Sequence, residues 1–197
     1  DHHIEYQQSK NWAPIAGDGE LTNKTLVILG YGGIGSQVAK LGKAFGMRVT
    51  GIRRNPQDDE HADEVLGLDR FEELLPLTDY LVLSLPDSPQ TRDIINADIL
   101  EKLSNSAMII NVGRGTAINE EDLSDALNGE KIAAAALDTT KVEPLDASSS
   151  LWTAKNCFIS AHDSAHSLLS LERAFELFFQ NIKNIKNGDQ IVNLYSE

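Results

Sequence analysis

Short apolar segments and amphipathic segments alternate along most of this chain. Largely apolar runs predict strands at residues 26–29, 48–52, 80–85, 107–112, 132–137 and 157–160. Strands with so little polar alternation are typical of a parallel sheet that is covered on both faces. The alternation therefore predicts an α/β fold of the Rossmann type, a doubly wound parallel sheet in a three-layer αβα arrangement.

The predicted helices begin and end at residues that suit those positions. Ile34, Val38, Leu41 and Phe45 recur at helical spacing and predict a helix over residues 34–45. Further helices are predicted at residues 71–75, 97–103, 120–128 and 170–186, with Asp69 and Asn119 as N-caps and Gly129 and Gly188 as stop signals. The last helix has a broad aromatic and aliphatic face, which is expected to enter a core or an interface.

A glycine-rich turn joins the first predicted strand to the first predicted helix. Gly30, Gly32 and Gly35 have the spacing G-x-G-x-x-G. The first glycine of this motif permits a tight turn, the second leaves room for a pyrophosphate, and the third lets helix and strand pack closely. The helix N-terminus then directs free N–H groups at the phosphates. The stretch predicts dinucleotide binding, and a plain strand–turn–helix without a ligand is the alternative.

The residues after the second strand bear on which dinucleotide binds. NAD-type folds place a carboxylate there, whereas NADP-type folds place basic residues that meet the 2′-phosphate. This chain has Arg53, Arg54 and Asn55 at that point, and the next carboxylate is Asp58. Two guanidinium groups can hold a phosphate through charge-assisted hydrogen bonds. The prediction is NADP(H) rather than NAD(H), and two surface arginines without a ligand are the alternative.

Composition excludes several classes of protein. The chain has 197 residues, 41% of them hydrophobic, and a formal charge of −13 that argues against a nucleic-acid or anionic membrane partner. No apolar run approaches the ~20 residues that span a bilayer. The one cysteine, Cys157, lies in an apolar run, which favours a buried structural thiol and a reducing, cytoplasmic location.

Three histidines and a tryptophan stand in polar segments of the chain. His2 and His3 have no third ligand nearby, so no metal site is expected. His61 lies in a polar loop and is assigned no role. Trp12 stands in a polar N-terminal segment and is expected to be a packing anchor.

Three stretches after later strands carry the types of residue that a keto-acid reductase needs. The stretches at residues 110–115, 136–145 and 156–162 place an arginine, an acid and a histidine just beyond strand ends, where doubly wound sheets bind their ligands. A guanidinium can hold a substrate carboxylate, and a histidine can protonate a developing alkoxide. A carboxylate beside the imidazole keeps it oriented and protonated.

This ordered set resembles the D-isomer-specific 2-hydroxyacid dehydrogenase family, which includes glyoxylate/hydroxypyruvate reductases and phosphoglycerate dehydrogenases. The most specific part is Asn111-Val-Gly-Arg-Gly115, followed by Leu137-Asp138 and Glu143-Pro144, and the resemblance runs from Trp12 to the C-terminus. It implies an NAD(P)-dependent oxidoreductase that acts on the CH–OH group of D-2-hydroxy acids or reduces small 2-keto acids.

The resemblance also assigns catalytic roles residue by residue. Arg114 matches the substrate-binding arginine, Glu143 the acid that precedes proline, and His162 the general acid/base. A surface arginine in a turn is the alternative for Arg114. The competing acids and histidine are Asp146, Glu121 and His166.

The remaining assignments concern the cofactor. Gly33 and Ile34 would offer backbone N–H groups to the pyrophosphate, and Asp138 would lie beside the nicotinamide carboxamide. Further cofactor contacts are expected at the strand ends and the loop along the cofactor, namely at Leu85, Pro86, Thr91, Val112 and Gly113.

The chain departs from the family pattern in two motifs. Ser160-Ala161-His162 stands where the family has Thr-Pro-His, and Asp163 follows where a small residue is usual, so the loop on the nicotinamide side is expected to differ in shape. Asp138-Thr139 replaces the usual Asp-Val, which is a mild change.

The family places a substrate domain before its cofactor domain, and only residues 1–24 precede the first strand here. We therefore expect a fragment, with residues 1–24 as an N-terminal interdomain segment and residues 25–165 as the dinucleotide-binding domain. Residues 166–197 would form a helix that returns to the missing domain. The fragment alone is expected to be inactive, because it cannot close over a substrate and exclude water. The family and the aromatic last helix favour a homodimer.

Other functions stay open at this point. A non-catalytic dinucleotide-binding module, regulatory or oligomerising, would use the same fold without turnover. A methyltransferase with a glycine-rich loop is disfavoured, because it explains neither the Arg53-Arg54 pair nor the later strand-end residues. The preferred interpretation has a small 2-keto or 2-hydroxy acid as its substrate.

Overall fold

A parallel sheet organises the chain. The computed structural model describes residues 2–14 and 19–193. In this part of the chain the strands are β1 Thr25–Leu29, β2 Arg48–Ile52, β3 Glu64–Leu66, β4 Tyr80–Leu83, β5 Met108–Asn111, β6 Ala134–Leu137 and β7 Cys157–Ile159. All pairs are parallel, and the order is β3-β2-β1-β4-β5-β6-β7. The predicted doubly wound Rossmann-type sheet is confirmed.

Helices alternate with these strands. They are α1 His2–Gln8, α2 Gly33–Ala44, α3 Phe71–Leu74, α4 Ala97–Lys102, α5 Glu120–Asn128 and α6 Ser170–Asn187. The predicted cap of α5 is confirmed, because the Asn119 side chain accepts a hydrogen bond from the Asp122 N–H at 3.2 Å. Helix α6 ends at Gly188, whose φ of +75° is the left-handed conformation that glycine adopts readily.

The chain divides into two compact units, Asp1–Ile159 and Ser160–Glu197. The first contains the whole sheet, and the second contains α6. The domain boundaries expected at residues 24/25 and 165/166 stay predictions, as does the return of α6 to a substrate domain.

Both faces of the sheet are covered, which explains why its central strands are apolar throughout. On one face Leu29, Leu81 and Ile109 pack with residues of α4 and α5, including Leu100 and Leu127. On the other face, alternate strand residues pack with one side of α2; the main members of this second cluster are Leu26, Ile28, Val49, Val82 and Ala39. Each fully buried Leu or Ile side chain stabilises the fold by about 2 kcal/mol.

Helix α2 contacts the sheet through small residues. Its buried positions are Gly35, Ala39 and Gly42, and a Cβ on Gly42 would lie 2.6 Å from the Leu26 side chain. Of the residues whose spacing predicted this helix, Val38 packs against the core. The large side chains of Ile34, Leu41 and Phe45 are exposed. The period thus predicted the helix correctly, while the close contact with the sheet depends on glycine and alanine.

Several local predictions were wrong. The polar run after β2 concealed strand β3, which is three residues long and has Val65 as its one buried residue. Asp69 does not cap α3, because it lies inside a preceding 3₁₀ turn and Arg70 occupies the cap position. Trp12 is not a packing anchor, since its side chain is 99% exposed. Strand β7 is only half-buried, and Phe158 is exposed, because this strand lies at the sheet edge.

Helix α6 has a face of exposed apolar residues in the described chain. Leu171, Phe175, Phe178 and Ile185 are exposed, and the buried residue of the helix is Asn184. The Asn184 amide donates a hydrogen bond to the Gln190 carbonyl oxygen at 2.7 Å, which ties the helix to the segment that follows it. Both the core and the interface alternatives for this face stay predictions.

The strand register brings the functional loops to one edge of the sheet. The last residues of neighbouring strands are register partners, and across the sheet they are Ile52, Leu29, Leu83, Asn111, Leu137 and Ile159. Every loop that leaves a carboxyl end therefore starts at the same level. Ligands of doubly wound sheets bind at this edge.

Thr139, just beyond β6, gives a test of the packing. Its side chain is 2% exposed, and its Oγ1 has no hydrogen-bond partner among the described residues. Because valine has the same shape without the hydroxyl, we expect Thr139→Val to raise the free energy of unfolding by about 1 kcal/mol, measured by urea denaturation.

Thr78→Val is the matched control for Thr139→Val. Thr78 is equally buried, but its Oγ1 donates a hydrogen bond to the Leu74 carbonyl oxygen at 2.8 Å. Its loss should lower the free energy of unfolding by about 1 kcal/mol. Equal effects of the two substitutions would contradict the assignment of Thr139 as an unpaired hydroxyl.

Candidate cofactor site and active site

The glycine turn has the backbone geometry that its spacing predicts. Gly30 has a φ of +102°, and a Cβ there would lie 2.7 Å from the Ser84 carbonyl group. A Cβ on Gly35 would lie 2.7 Å from the Gly30 carbonyl oxygen. By contrast, no atom lies within 4 Å of a Cβ built on Gly32 or Gly33. The turn is thus closely packed at Gly30 and Gly35 and open at Gly32 and Gly33, as an approaching pyrophosphate requires.

The N-terminus of α2 opens onto the same space. Gly32 is its N-cap and has no side chain to satisfy the first N–H groups. The helical hydrogen bonds begin with the Ser36 N–H, which donates to the Gly32 carbonyl oxygen at 2.9 Å. The N–H groups of Gly33 and Ile34 therefore lack acceptors within the helix and lie at its positive end. These exposed residues fit a phosphate group.

The two arginines stand at the carboxyl end of β2. Arg53 is half-buried, Arg54 and Asn55 are exposed, and the Arg53 N–H donates to the Leu66 carbonyl oxygen at 3.0 Å. Strand β3, which the sequence did not reveal, therefore fixes the backbone of Arg53. Within the described part of the chain, neither guanidinium takes part in a salt bridge. Both are available to an anion.

The loop after β4 is held in shape by Thr91. The Thr91 hydroxyl lies 2.8 Å from the Pro86 carbonyl oxygen and accepts a hydrogen bond from the Ser88 N–H at 3.0 Å. Leu85, at the start of the loop, packs beside the main core. The predicted contact of Thr91 with ribose or pyrophosphate stays a prediction, but the residue has a structural role that its motif did not reveal.

Asn111 is a site residue to which no role was given from the sequence. It is fully buried at the end of β5. Its amide nitrogen donates to the Arg114 carbonyl oxygen at 3.1 Å, and its amide oxygen accepts from the Gly113 N–H at 3.0 Å. A polar residue that ends an apolar strand was the available signal. Asn111 fixes the backbone on which the predicted substrate arginine stands.

Arg114 itself is exposed at the sheet edge. Its Nη1 donates to the Gly113 carbonyl oxygen at 2.8 Å. Nearby, Asp87 accepts hydrogen bonds from Arg92 at 3.2 Å and from Thr116 at 2.9 Å. These bonds, together with the charges of Arg92 and Arg114, hold the pKa of Asp87 below its usual value. The loop of Arg114 therefore adjoins a fixed negative charge.

A glycine contact joins the loop of Arg114 to the loop of Glu143. A Cβ on Gly115 would overlap the backbone of Thr140. The Thr140 N–H donates to Glu143 Oε1 at 3.1 Å. Asp138 is buried at the start of this second loop, and its N–H donates to the Asn111 carbonyl oxygen at 2.9 Å. The structure thus brings three of the predicted residues, Arg114, Asp138 and Glu143, to neighbouring loops.

His162 lies in the second compact unit, Ser160–Glu197, so its pairing with Glu143 stays a prediction. His162 is exposed and has a φ of +52°, which is uncommon outside glycine and asparagine. Among the competing residues, Asp146 is engaged in its own turn, where its Oδ1 accepts hydrogen bonds from the Ser148 N–H and hydroxyl. These bonds lower the pKa of Asp146.

The described residues show neither a reactive thiol, nor a metal site, nor a membrane-spanning helix. Burial raises the pKa of Cys157 to about 11, so the thiol stays protonated near neutral pH. The side chains of His2 and His3 lie outside the described residues, and within those residues no three His, Cys, Asp or Glu side chains are grouped to hold a metal ion. None of the helices in the described chain is both long and apolar enough to cross a membrane.

Comparison with known proteins identifies the family. Residues 1–164 match the family model described as D-isomer specific 2-hydroxyacid dehydrogenase, NAD binding domain. The hydroxypyruvate reductase of Blautia hydrogenotrophica is 35% identical over 174 residues, which are 87% of this chain and 53% of that protein.

Solved structures agree with this match. A D-isomer specific 2-hydroxyacid dehydrogenase family protein from Aeromonas salmonicida is 34% identical and superposes with a TM-score of 0.88 over 99% of this chain and 62% of its own. The NADPH-dependent glyoxylate/hydroxypyruvate reductase of Sinorhizobium meliloti, solved with NADP and sulfate, is 27% identical, with a TM-score of 0.85 and the same coverage. The chain therefore spans between 53% and 62% of the length of these three proteins. It belongs to the D-isomer specific 2-hydroxyacid dehydrogenase family and forms its cofactor-binding domain.

Proposed function

We propose that this chain is the cofactor-binding domain of an NADP(H)-dependent enzyme that reduces small 2-keto acids to D-2-hydroxy acids. The observation that carries the cofactor choice is the pair Arg53 and Arg54 beyond β2, unpaired by salt bridges in the described chain and without a carboxylate between them and Asp58. The Sinorhizobium meliloti relative is named as NADPH-dependent, which supports the same choice.

The residues at the sheet edge suit this cofactor. Gly33 and Ile34 would hold the pyrophosphate through backbone N–H groups, Gly32 would leave room for it, and Arg53 and Arg54 would hold the 2′-phosphate. Leu85, Pro86, Thr91, Val112, Gly113 and Asp138 would line the remainder of the cofactor. When bound, the reduced nicotinamide supplies the hydride for the keto carbon.

Three side chains would then act on the substrate. The Arg114 guanidinium holds the substrate carboxylate by charge-assisted hydrogen bonds and polarises the keto oxygen. The His162 imidazole gives a proton to that oxygen as negative charge develops on it. The Glu143 carboxylate orients the imidazole and favours its protonated form. Asn111 and Thr140 keep Arg114 and Glu143 in place through the bonds described above.

The same proposal includes the oligomeric state, the cellular location and a second domain. Exposed apolar side chains on α2 and at its C-cap, namely Ile34, Leu41 and Phe45, support a homodimer. A single half-buried cysteine supports a cytoplasmic location. The substrate domain of the family would supply the other wall of the active site, so this chain alone is expected to bind cofactor without turnover.

Cofactor preference gives a direct test. We expect NADP⁺ to bind more tightly than NAD⁺, and Arg53→Ala with Arg54→Ala to weaken NADP⁺ binding by about 100-fold, because two charge-assisted contacts are lost. Binding is measured by calorimetric titration of both dinucleotides. Arg48→Ala, at the opposite end of β2, is the control and should leave both affinities unchanged. Equal affinity of the unaltered chain for NAD⁺ and NADP⁺ would contradict the proposal.

Turnover tests the catalytic assignment. The full-length coding product is assayed by NADPH absorbance with glyoxylate, hydroxypyruvate and other 2-keto acids. His162→Asn should lower kcat by a factor of about 10² to 10⁴, because proton transfer to the oxygen is lost. His166→Asn should change kcat less than twofold. Absence of turnover across the panel would favour the non-catalytic dinucleotide-binding module.

Gly115→Ala tests the contact between the two catalytic loops. The new methyl group would overlap Thr140, whose N–H holds Glu143, so both loops must separate. We expect a loss of about 1–3 kcal/mol in the free energy of unfolding, measured by urea denaturation, and a fall in kcat of the full-length product. Gly33→Ala is the control for stability, since open space surrounds that position. Unchanged stability and kcat in Gly115→Ala would rule out a required close approach.

A further inference from the structure

Tyr31, between the first two motif glycines, is fixed to the end of β2. Its side chain is 3% exposed and its ring lies over Gly51, where a Cβ would be 2.6 Å from the ring Cγ. Its N–H donates to the Ile52 carbonyl oxygen at 2.8 Å. The backbone hydrogen bond and the ring contact thus fix Tyr31 against Gly51 and Ile52, the two residues that precede Arg53.

The Tyr31 hydroxyl reaches the segment between β2 and β3. It donates a hydrogen bond to Asp59 Oδ1 at 3.0 Å. The same oxygen accepts the His61 N–H at 2.9 Å. Asp59, which follows the arginine pair by five residues, is therefore held by two donors from different parts of the chain.

The charges of these groups favour that arrangement. Burial and the bond to Asp59 raise the pKa of Tyr31 to about 12, so the hydroxyl keeps its proton near neutral pH. The His61 N–H and the Tyr31 hydroxyl lower the pKa of Asp59, so the residue is a carboxylate. The positive charge of Arg53 acts to lower the pKa of both groups, and Arg53 directly follows Ile52, whose carbonyl oxygen accepts the Tyr31 N–H.

A carboxylate in the segment that follows Arg53 competes with a phosphate for the same guanidinium. A salt bridge to Asp59 would satisfy Arg53 before any ligand arrived. No Arg53–Asp59 salt bridge is formed in the described chain, and the carboxylate takes its hydrogen bonds from Tyr31 and His61 instead. The Tyr31 hydroxyl and the His61 N–H both bond to Asp59 Oδ1, so a bidentate salt bridge from Arg53 would have to compete with them for that oxygen.

We propose that Tyr31 is a positioning residue for NADP(H) specificity, which holds the Asp59 carboxylate away from Arg53 and leaves that guanidinium free for the 2′-phosphate. The inference rests on the proposed binding of NADP(H). NAD(H) has no 2′-phosphate, so its affinity does not depend on the free guanidinium. Tyr31 therefore contributes to the difference between the two affinities and not to dinucleotide binding in general.

Tyr31→Phe separates the hydroxyl from the ring. Phenylalanine keeps the contact over Gly51, and the variant is expected to fold. With its donor lost, Asp59 is free to pair with Arg53. We expect NADP⁺ binding to weaken about five- to tenfold and NAD⁺ binding to change less than twofold, measured by calorimetric titration. Tyr80→Phe, at the amino end of β4, is the matched control and should change neither affinity.

The double variant Tyr31→Phe with Asp59→Asn tests the mechanism. A neutral amide does not compete for Arg53, so NADP⁺ affinity should return to within twofold of the unaltered chain. Asp59→Asn alone should also stay within twofold. A purely structural role of the Tyr31 hydroxyl would show no such recovery, and a loss that the second substitution does not restore overturns the proposed role.

Different results would contradict the proposed NADP(H) preference and the proposed role of Tyr31. If the unaltered chain binds NAD⁺ as tightly as NADP⁺, both the cofactor preference and the role of Tyr31 are wrong. If the unaltered chain prefers NADP⁺ while Tyr31→Phe retains the full preference, the cofactor preference stands and the role of Tyr31 is wrong.

Discussion

The site depends on loops whose main chains pack directly against each other, without side chains between them. Beyond the strand ends, Gly30 lies against Ser84, Gly113 against Leu85, and Gly115 against Thr140. At each contact a Cβ would meet main-chain atoms of the next loop, so only hydrogen can occupy the position. Because main-chain atoms cannot rotate out of the way as a side chain can, these glycines set the spacing of the whole edge. The groups proposed to hold cofactor and substrate take their positions from that spacing.

The sequence predicted those parts of the fold in which burial of apolar residues alone decides the pattern. Apolar strands such as β1 and β4 were evident, because burial on both faces requires apolar residues at every position. Strand β3 was not, because an edge strand with one buried residue has no pattern to distinguish it from a loop. The outer face of α2 was equally hard to predict. Apolar spacing marks a helix, but it does not say whether the large or the small residues face the sheet.

The candidate site was predicted through charged residues and glycines, while its supporting polar residues escaped notice. Arg53 and Arg114 stand out in a sequence because a charge directly after a buried strand has few structural reasons to be there. Asn111 and Tyr31 do not, because their partners are a carbonyl oxygen three residues on and a carboxylate 28 residues away. Such pairings depend on the completed fold. Composition and spacing contain too little information to reveal them.

The buried side-chain amide of Asn111 also opposes local unfolding of the loop after β5. Its two hydrogen bonds end on the Gly113 N–H and the Arg114 carbonyl oxygen, and the Asn111 side chain itself is buried. If this loop opened, an amide would be left unpaired within an apolar core, which costs roughly 1–3 kcal/mol. Strand end and loop are therefore one cooperative unit in local unfolding, and amide hydrogens there should exchange with solvent among the slowest of any loop. The backbone beneath Arg114 is therefore one of the rigid parts of this edge of the sheet.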